Sequence, residues 1–299
     1  MSKTVLVELS DALADAAELA GKSTVLVNAR RRMPASGILF SSDLVLTAEH
    51  VVEKDEDIKV VLADGSEVSA KIAGRDAGTD LAILKLERAA GTVAEVTKSP
   101  ARLGQIALAL ARPSRDGIEA SLGTVSAIAG PVRTQRGGML ERYIRTDSIS
   151  YPGFSGGPLV AADGTILGLN TSGLSNGPAI TIPADIAWNV AETLAKHGQI
   201  KRGYLGIRSQ TVDVPNASQD ALKRKQATGL LVVSVEKDSP ASKGGLIVGD
   251  ILLAVEGNPV LHHDELFARL NGDVVGKSTP IEILRGGQPQ TLNIVIGDR

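Results

Sequence analysis

Residues Tyr151–Asn170 read YPGFSGGPLVAADGTILGLN, and the residues after Ser155 in this stretch decide the fold. Gly153-Phe154-Ser155-Gly156-Gly157 satisfies G-x-S-x-G, the pattern of a serine held on a strand-to-helix elbow. An elbow needs a helix directly after the serine, with the acid and then the histidine downstream. Here Ser155 leads into two strand-like apolar runs joined by Asp163-Gly164, a hairpin signal. No helical period starts there, so the elbow reading fails.

The same rhythm runs outward in both directions. VLVNA, SGILF, LVLTA, IKVVLA-DG-SEVSAKIAG and LAILKLE precede the stretch, and GQIALAL, GTVSAIAG, ERYIRT and PAITIP surround it. Many short strands without intervening helices predict an antiparallel sandwich or barrel. Two segments break the pattern. Residues 10–20 read as a helix, with Ser10 as a cap and Leu13, Ala16, Ala17 and Ala20 on one face. ADIAWNVAETLAKHG is a second, with Ile186, Val190 and Leu194 in step and Gly198 as its C-cap. The polar QIKRG after it marks a domain boundary near residue 200. The last hundred residues are strand-rich again. They carry a Ser-Pro-Ala helical turn, a short helix HDELFARLNG with Leu266, Phe267 and Leu270 inward, and a hairpin closed by Gly286-Gly287. That unit has the size of a binding module.

Composition narrows the classes. The 299 residues carry a net charge of −2 and no cysteine. Disulfides, thiolate metal sites and a cysteine nucleophile are therefore excluded, and no basic face points to nucleic acid. With one Trp, three Tyr and three Phe against 32 Gly, the cores must be built from Val, Ile, Leu and Ala. The opening MSKTVLVELSDALADAAELAGK has acids throughout and is not a signal peptide. No run approaches the 18 or so apolar residues of a membrane span. The expectation is a cytoplasmic location for the chain as written, or an extracytoplasmic one if it has been trimmed.

For acyl transfer, Ser155 needs a base, an acid to orient that base, and donors for the oxyanion. Of the four histidines, His197 ends a helix, and His262 and His263 precede one in the last unit. Only His50, in LTAEHVV, sits among strands of the first. Asp80, in GTDLAILKL, is the candidate orienter, with Asp76 its nearest rival. His50, Asp80, Ser155 is the chain order found on chymotrypsin-like double β-barrels. In that geometry Gly153 and Ser155 offer backbone N–H groups to the oxyanion, and Gly153 lacks a Cβ that would obstruct the approach. Three look-alikes carry less. AGKST at residues 20–24 imitates a P-loop end, but Ala16 stands where its first glycine belongs. RGG at Arg285–Gly287 reads as a turn, and Asp55-Glu56-Asp57 as a solvated loop.

TAEHVV around His50, GTDLAILKL at Asp80, TDSISYPGFSGGPL at Ser155, KRGYLGI at the boundary and DSPASKGGLIVGDILLAVEGNPV resemble the HtrA (Deg) serine proteases over about residues 22 to 297. The resemblance implies a mainly β chain. An amino-terminal helical segment (1–21) would precede a trypsin-like double β-barrel (22–199) and one PDZ domain (200–299) with two short helices. It implies an ATP-independent endopeptidase acting on unfolded or damaged protein, with His50 as general base, Asp80 as its orienter and Ser155 as nucleophile. Tyr204-Leu205-Gly206-Ile207 matches the family's carboxylate-binding loop, where successive N–H groups converge on a peptide's terminus. The helix carrying Leu266 and Leu270 supplies the groove's other wall for apolar carboxyl-terminal peptides. The family further implies a homotrimer, no cofactor and no metal. The chain departs from the pattern at Phe154, where the family has Asn, and at Ser150-Tyr151. With no acid between Ser148 and Pro152, a small or medium apolar residue is expected at P1. A non-catalytic chaperone or peptide-binding scaffold that retains the protease fold is the alternative.

Overall fold

A computed structural model describes residues 4–134, 138–174, 178–214, 222, 224–270 and 274–298. Its contacts divide the chain into two compact units, Met1–Ile200 and Lys201–Arg299.

The first unit holds two closed antiparallel barrels of six strands each. One is β1 (Thr24–Asn28), β2 (Ala35–Ser41), β3 (Leu44–Ala48), β4 (Ile58–Val61), β5 (Glu67–Asp76) and β6 (Leu81–Leu86), closed in the order β1-β2-β3-β6-β5-β4. Asp64-Gly65 turns β4 into β5, with Gly65 at φ +81°. β7 (Ile106–Ser114) and β8 (Gly117–Ala129) open the other barrel, and the small pair β9 (Val132–Arg133) and β10 (Met139–Leu140) lies off it. β11 (Tyr143–Thr146), β12 (Pro158–Ala161), β13 (Ile166–Thr171) and β14 (Ile180–Pro183) complete it in the order β11-β14-β13-β12-β7-β8. Closure leaves no barrel edge unpaired, so short strands suffice. The interiors are almost wholly aliphatic, Val25, Ile38, Leu46, Leu84 and their neighbours in the first, each worth about 1.5–3 kcal/mol on burial.

Helix α1 spans Val5–Gly21, starting five positions before Ser10, which lies inside it. Its packing face, Leu13, Ala16, Ala17 and Ala20 on Leu108, Leu110 and Val160, lies within the expected span, and the added residues Val5, Leu6, Val7 and Leu9 are exposed. The AGKST segment finishes this helix, the Ser23 and Thr24 hydroxyls both donating to Ala20 O. Helix α2 (Ala184–His197) ends at Gly198, which takes the left-handed conformation and donates to Leu194 O at 2.8 Å. Its Ala187, Ala191 and Leu194 enter the first barrel's core.

The second unit is a sheet in the order β16 (Ile207–Asp213), β17 (Thr228–Val235), β18 (Ile251–Val255), β20 (Ser278–Arg285), β21 (Gln288–Val295), with β19 (Asn258–Pro259) on β18. A second small pair joins β15 (Gly203–Tyr204) to β22 (Gly297–Asp298). Gly286 and Gly287, both at positive φ, close the last hairpin as a two-residue turn of that hand requires. Two short helices cover the sheet, Pro240–Lys243, N-capped by the Ser239 side chain, and His263–Leu270. Leu266 and Leu270 are buried as expected, but Phe267 points outward and is 37% exposed. At about 100° per residue, Phe267 lies at the margin of the arc that Leu266 and Leu270 define, so it falls at the edge of the buried face.

Candidate active site

β3 ends at Ala48 and a single 3₁₀ turn, Glu49–Val51, carries His50. Asp80 stands in the turn before β6 at φ +56°, a conformation that short polar side chains tolerate better than most. The carboxylate is completely buried, and three donors compensate it. His50 Nδ1 lies 2.8 Å from Oδ2 and 3.1 Å from Oδ1, the His50 backbone N–H donates to Oδ1 at 2.9 Å, and the Thr171 hydroxyl donates to Oδ2. A buried carboxylate without such partners would be costly. Asp76 is spoken for elsewhere, accepting the N–H and hydroxyl of Thr79 at 2.9 and 2.6 Å. The pairing leaves Nε2 as the free face of the imidazole and fixes the ring's orientation. Gly173 packs over this pair: a Cβ there would lie 2.5 Å from His50 Nδ1 and 2.6 Å from Asp80 Oδ2.

Pro152 and Gly153 occupy the two central positions of a turn closed by Phe154 N–H on Tyr151 O at 3.1 Å, with Gly153 at φ +93°. Proline first and a positive-φ glycine second is the residue pattern of a type II turn. The next peptide groups are tied down in alternation. Gly156 N–H donates to Asn170 O, Gly157 N–H to Phe154 O, and Asn170 N–H returns to Gly157 O, at 2.8, 3.0 and 2.8 Å. Among the described residues, the N–H groups of Gly153 and Ser155 have no acceptor. Two such donors flanking a serine hydroxyl can stabilise an oxyanion. Phe154, where the family that the sequence resembles has Asn, is fully buried among Ala107, Ala109, Val125 and Leu159 and meets Tyr151 edge-on at 5.6 Å. It anchors the turn by packing.

The Ser155 hydroxyl is engaged with Ser172, 3.1 Å from its Oγ and accepting its N–H at 3.3 Å, and among the described residues it makes no hydrogen bond to His50. Hydrogen bonds of this kind are often unmade in unliganded sites and tighten on substrate. The structure thus joins His50 to Asp80 and places Gly153 and Ser155 on one turn, while the serine–histidine bond is not formed. Sequence reasoning missed Thr171, Ser172 and Gly173. They lie at the end of β13, at residues 171–173, where spacing alone carries no signal.

In the second unit, Tyr204 lies in β15, Leu205 is buried, and Ile207 opens the edge strand β16. Gly206 has φ +77°, and a Cβ on it would strike Ser239 Cβ at 2.4 Å. The carbonyls of Leu205 and Gly206 accept from Ala241 N–H and Glu236 N–H at 2.9 and 2.8 Å, whereas the N–H groups of Leu205 and Gly206 have no acceptor among the described residues. Leu266 and Leu270 lie in the same core cluster as Leu205. Their helix meets the edge strand where His263 Nε2 stands 3.0 Å from both Ser209 O and Ser209 Oγ.

A trypsin-like peptidase domain model matches residues 35–169, and a PDZ domain model matches residues 203–296. The solved HtrA-type protease AlgW with a tripeptide is 30% identical, with a TM-score of 0.77, over 96% of this chain and 97% of that one. The chain belongs to the HtrA-type serine proteases. The serine endoprotease from Yersinia pestis is a similar solved structure, at 28% identity and a TM-score of 0.78, over 96% of this chain and 98% of that one. Among curated relatives, a probable periplasmic serine endoprotease DegP-like of Pseudomonas putida (strain GB-1) is 36% identical over 269 residues, 88% of this chain and 55% of the relative. One of the same name from Rhizobium meliloti (strain 1021) is 32% identical over 276 residues, 90% of this chain and 54% of the relative. The chain spans about half the length of these relatives. Their names correct one expectation. The cytoplasmic location read from the opening residues is overturned by relatives named as periplasmic, because an acidic helix at the start of a chain says nothing of where the chain is delivered. Among the described residues, no helix is long and apolar enough to cross a membrane.

Proposed function

We propose that the chain is an extracytoplasmic serine endopeptidase that cleaves unfolded or damaged protein without ATP. Ser155 attacks the scissile carbonyl and His50 Nε2 takes its proton. Asp80 holds the imidazole and stabilises its charge, and the Gly153 and Ser155 N–H groups receive the oxyanion. The imidazolium then protonates the leaving amine, and water, activated by the same base, hydrolyses the acyl-enzyme. The observation that carries the reading is the pair of unengaged N–H groups on either side of Phe154, in the unit that also holds a fully paired His50–Asp80 couple. For this chemistry the Ser155 hydroxyl must exchange Ser172 for His50 when substrate arrives.

The second unit takes the carboxylate of an apolar carboxyl-terminal peptide on the Leu205 and Gly206 N–H groups, the peptide adding a strand to β16. Solved AlgW structures carry a decapeptide and a tripeptide, which supports peptide binding as a property of this chain too. The domain limits 1–21, 22–199 and 200–299, the homotrimer and the apolar P1 preference belong to the same proposal. Light scattering tests the trimer. The alternative, a non-catalytic scaffold, draws on the serine hydroxyl's bond to Ser172.

The test is degradation of casein by this chain and by Ser155→Ala, with and without a peptide ending in apolar residues. Cleavage lost in the variant and raised by the peptide is the expected result. Casein left intact by both under every condition would favour the scaffold.

A further inference from the structure

Ser36 lies on β2 of the first barrel with its side chain completely buried. Its hydroxyl donates to the Gly153 carbonyl at 2.8 Å and accepts the Arg112 N–H at 2.8 Å. Its own N–H donates to Ser155 O at 3.2 Å, and its carbonyl accepts the Thr47 hydroxyl at 2.7 Å. Gly156 is pressed against the same residue, since a Cβ there would stand 2.1 Å from Ser36 O. One residue of the first barrel therefore holds the carbonyls of both Gly153 and Ser155, which belong to the second.

A buried serine must pair its hydroxyl somewhere, and satisfying that need is the plainer explanation. The choice of acceptor argues for more. Glycine is the residue with the widest backbone freedom, so the direction of the Gly153 peptide groups has to be imposed from outside. The Phe154 N–H bond fixes one end of the 153–154 peptide, and the Ser36 hydroxyl fixes the other. The Gly153 N–H sits on the preceding 152–153 peptide, joined to the clamped one through Gly153 Cα, so the clamp narrows the directions that N–H can take. Donors that stabilise a transition state must be aimed before the charge develops.

We propose that Ser36 is a positioning residue for the reaction, clamping the Tyr151–Ser155 turn so that the Gly153 and Ser155 N–H groups stay aimed at the oxyanion. This rests on the protease reading above. The experiment uses the full chain, a fluorogenic peptide substrate and a peptide boronate as transition-state analogue. In Ser36→Ala, kcat is expected to fall about tenfold to thirtyfold, less than the roughly 100- to 1000-fold for removing such a donor outright. KM should stay within about twofold, and boronate affinity should fall in step with kcat/KM. Ser36→Cys, whose thiol is a weak donor, should lie between the two. If Ser36→Ala does not fold by circular dichroism, Ser36→Cys carries the same readouts. Unchanged kcat in folded variants, or a loss that only tracks the folded fraction with boronate affinity intact, would overturn the clamp. Activity that survives Ser155→Ala would sink the protease reading itself, whereas a dead Ser155→Ala beside an undiminished Ser36→Ala would sink only the role of Ser36.

Discussion

The Tyr151–Gly157 turn in one unit and the Tyr204–Ile207 loop in the other are built alike. Each turns on a glycine at positive φ, +93° at Gly153 and +77° at Gly206. Each also leaves two backbone N–H groups without an acceptor among the described residues. They differ in how those donors are spaced. In the first, the free N–H groups alternate with engaged ones, at residues 153 and 155, and the same segment carries the Ser155 hydroxyl. In the second they are consecutive, at residues 205 and 206, and the chain runs straight on into an open sheet edge. Alternate donors on a clamped turn suit a charge that exists only in a transition state. Consecutive donors beside a strand with one open edge suit a carboxylate that arrives with its own backbone and stays. On the proposed reading, the same local chemistry serves catalysis or binding according to what adjoins it.

The catalytic half of this contrast is most vulnerable at the histidine's partner. Asp80→Asn keeps the size of the side chain but presents an amide to His50 and Thr171, favouring the wrong imidazole tautomer. A fall in kcat on the order of 10⁴-fold is expected, with peptide affinity of the second unit untouched. A loss smaller than about tenfold would mean that His50 does not need this carboxylate.

Gly206→Ala probes the binding half. The left-handed conformation costs an alanine about 1–2 kcal/mol, and the added Cβ meets Ser239. The free loop relaxes away from that geometry and must return to it on binding. Affinity for a tripeptide ending in an apolar residue should therefore drop roughly tenfold by calorimetry, about 1.4 kcal/mol being a factor of ten. kcat on a small substrate without a free carboxylate should hold. Unchanged affinity would move the peptide site elsewhere on the unit.

The smallest effect lies outside both loops. Thr124 N–H, and after it the Thr124 hydroxyl, hold the exposed Asp147 carboxyl below its usual range. A depressed carboxylate stabilises the fold above its unfolded pKa, about 4, and loses that contribution as pH falls through the lower folded value. Asp147→Asn should therefore lower Tm slightly at pH 6, with the difference closing below about pH 3–4. A difference that persists unchanged at about pH 2.5 would mean that the carboxylate's charge is not its source.

Much of the fold was legible because its signals are local. Asp64-Gly65, Gly198 and Gly286-Gly287 each mark a turn or cap that only certain residues allow, and the absence of a helical period after Ser155 separated a double barrel from an α/β elbow. The start of α1 was not legible, because its first residues are exposed and Thr4 at its N-cap makes no side-chain capping bond, so neither a core face nor a cap marks it. At the candidate site, preferring Asp80 to Asp76 could not come from spacing, since both precede the same strand and only the closed barrel directs one of them to His50. Ser36, Thr171, Ser172 and Gly173 reach the site across long stretches of chain, and ordinary strand and turn residues give no sign of it. Phe154 was legible as a departure but not as an anchor, because its burial depends on the second barrel's core.

Whether Ser155 is a nucleophile served by His50 is tested most directly by the rate at which a fluorophosphonate labels it, in this chain and in His50→Ala. Labelling at Ser155 should be stoichiometric, and slowed on the order of 10³-fold or more without the histidine. Labelling that is absent, or equally slow in both proteins, would contradict catalysis by this pair.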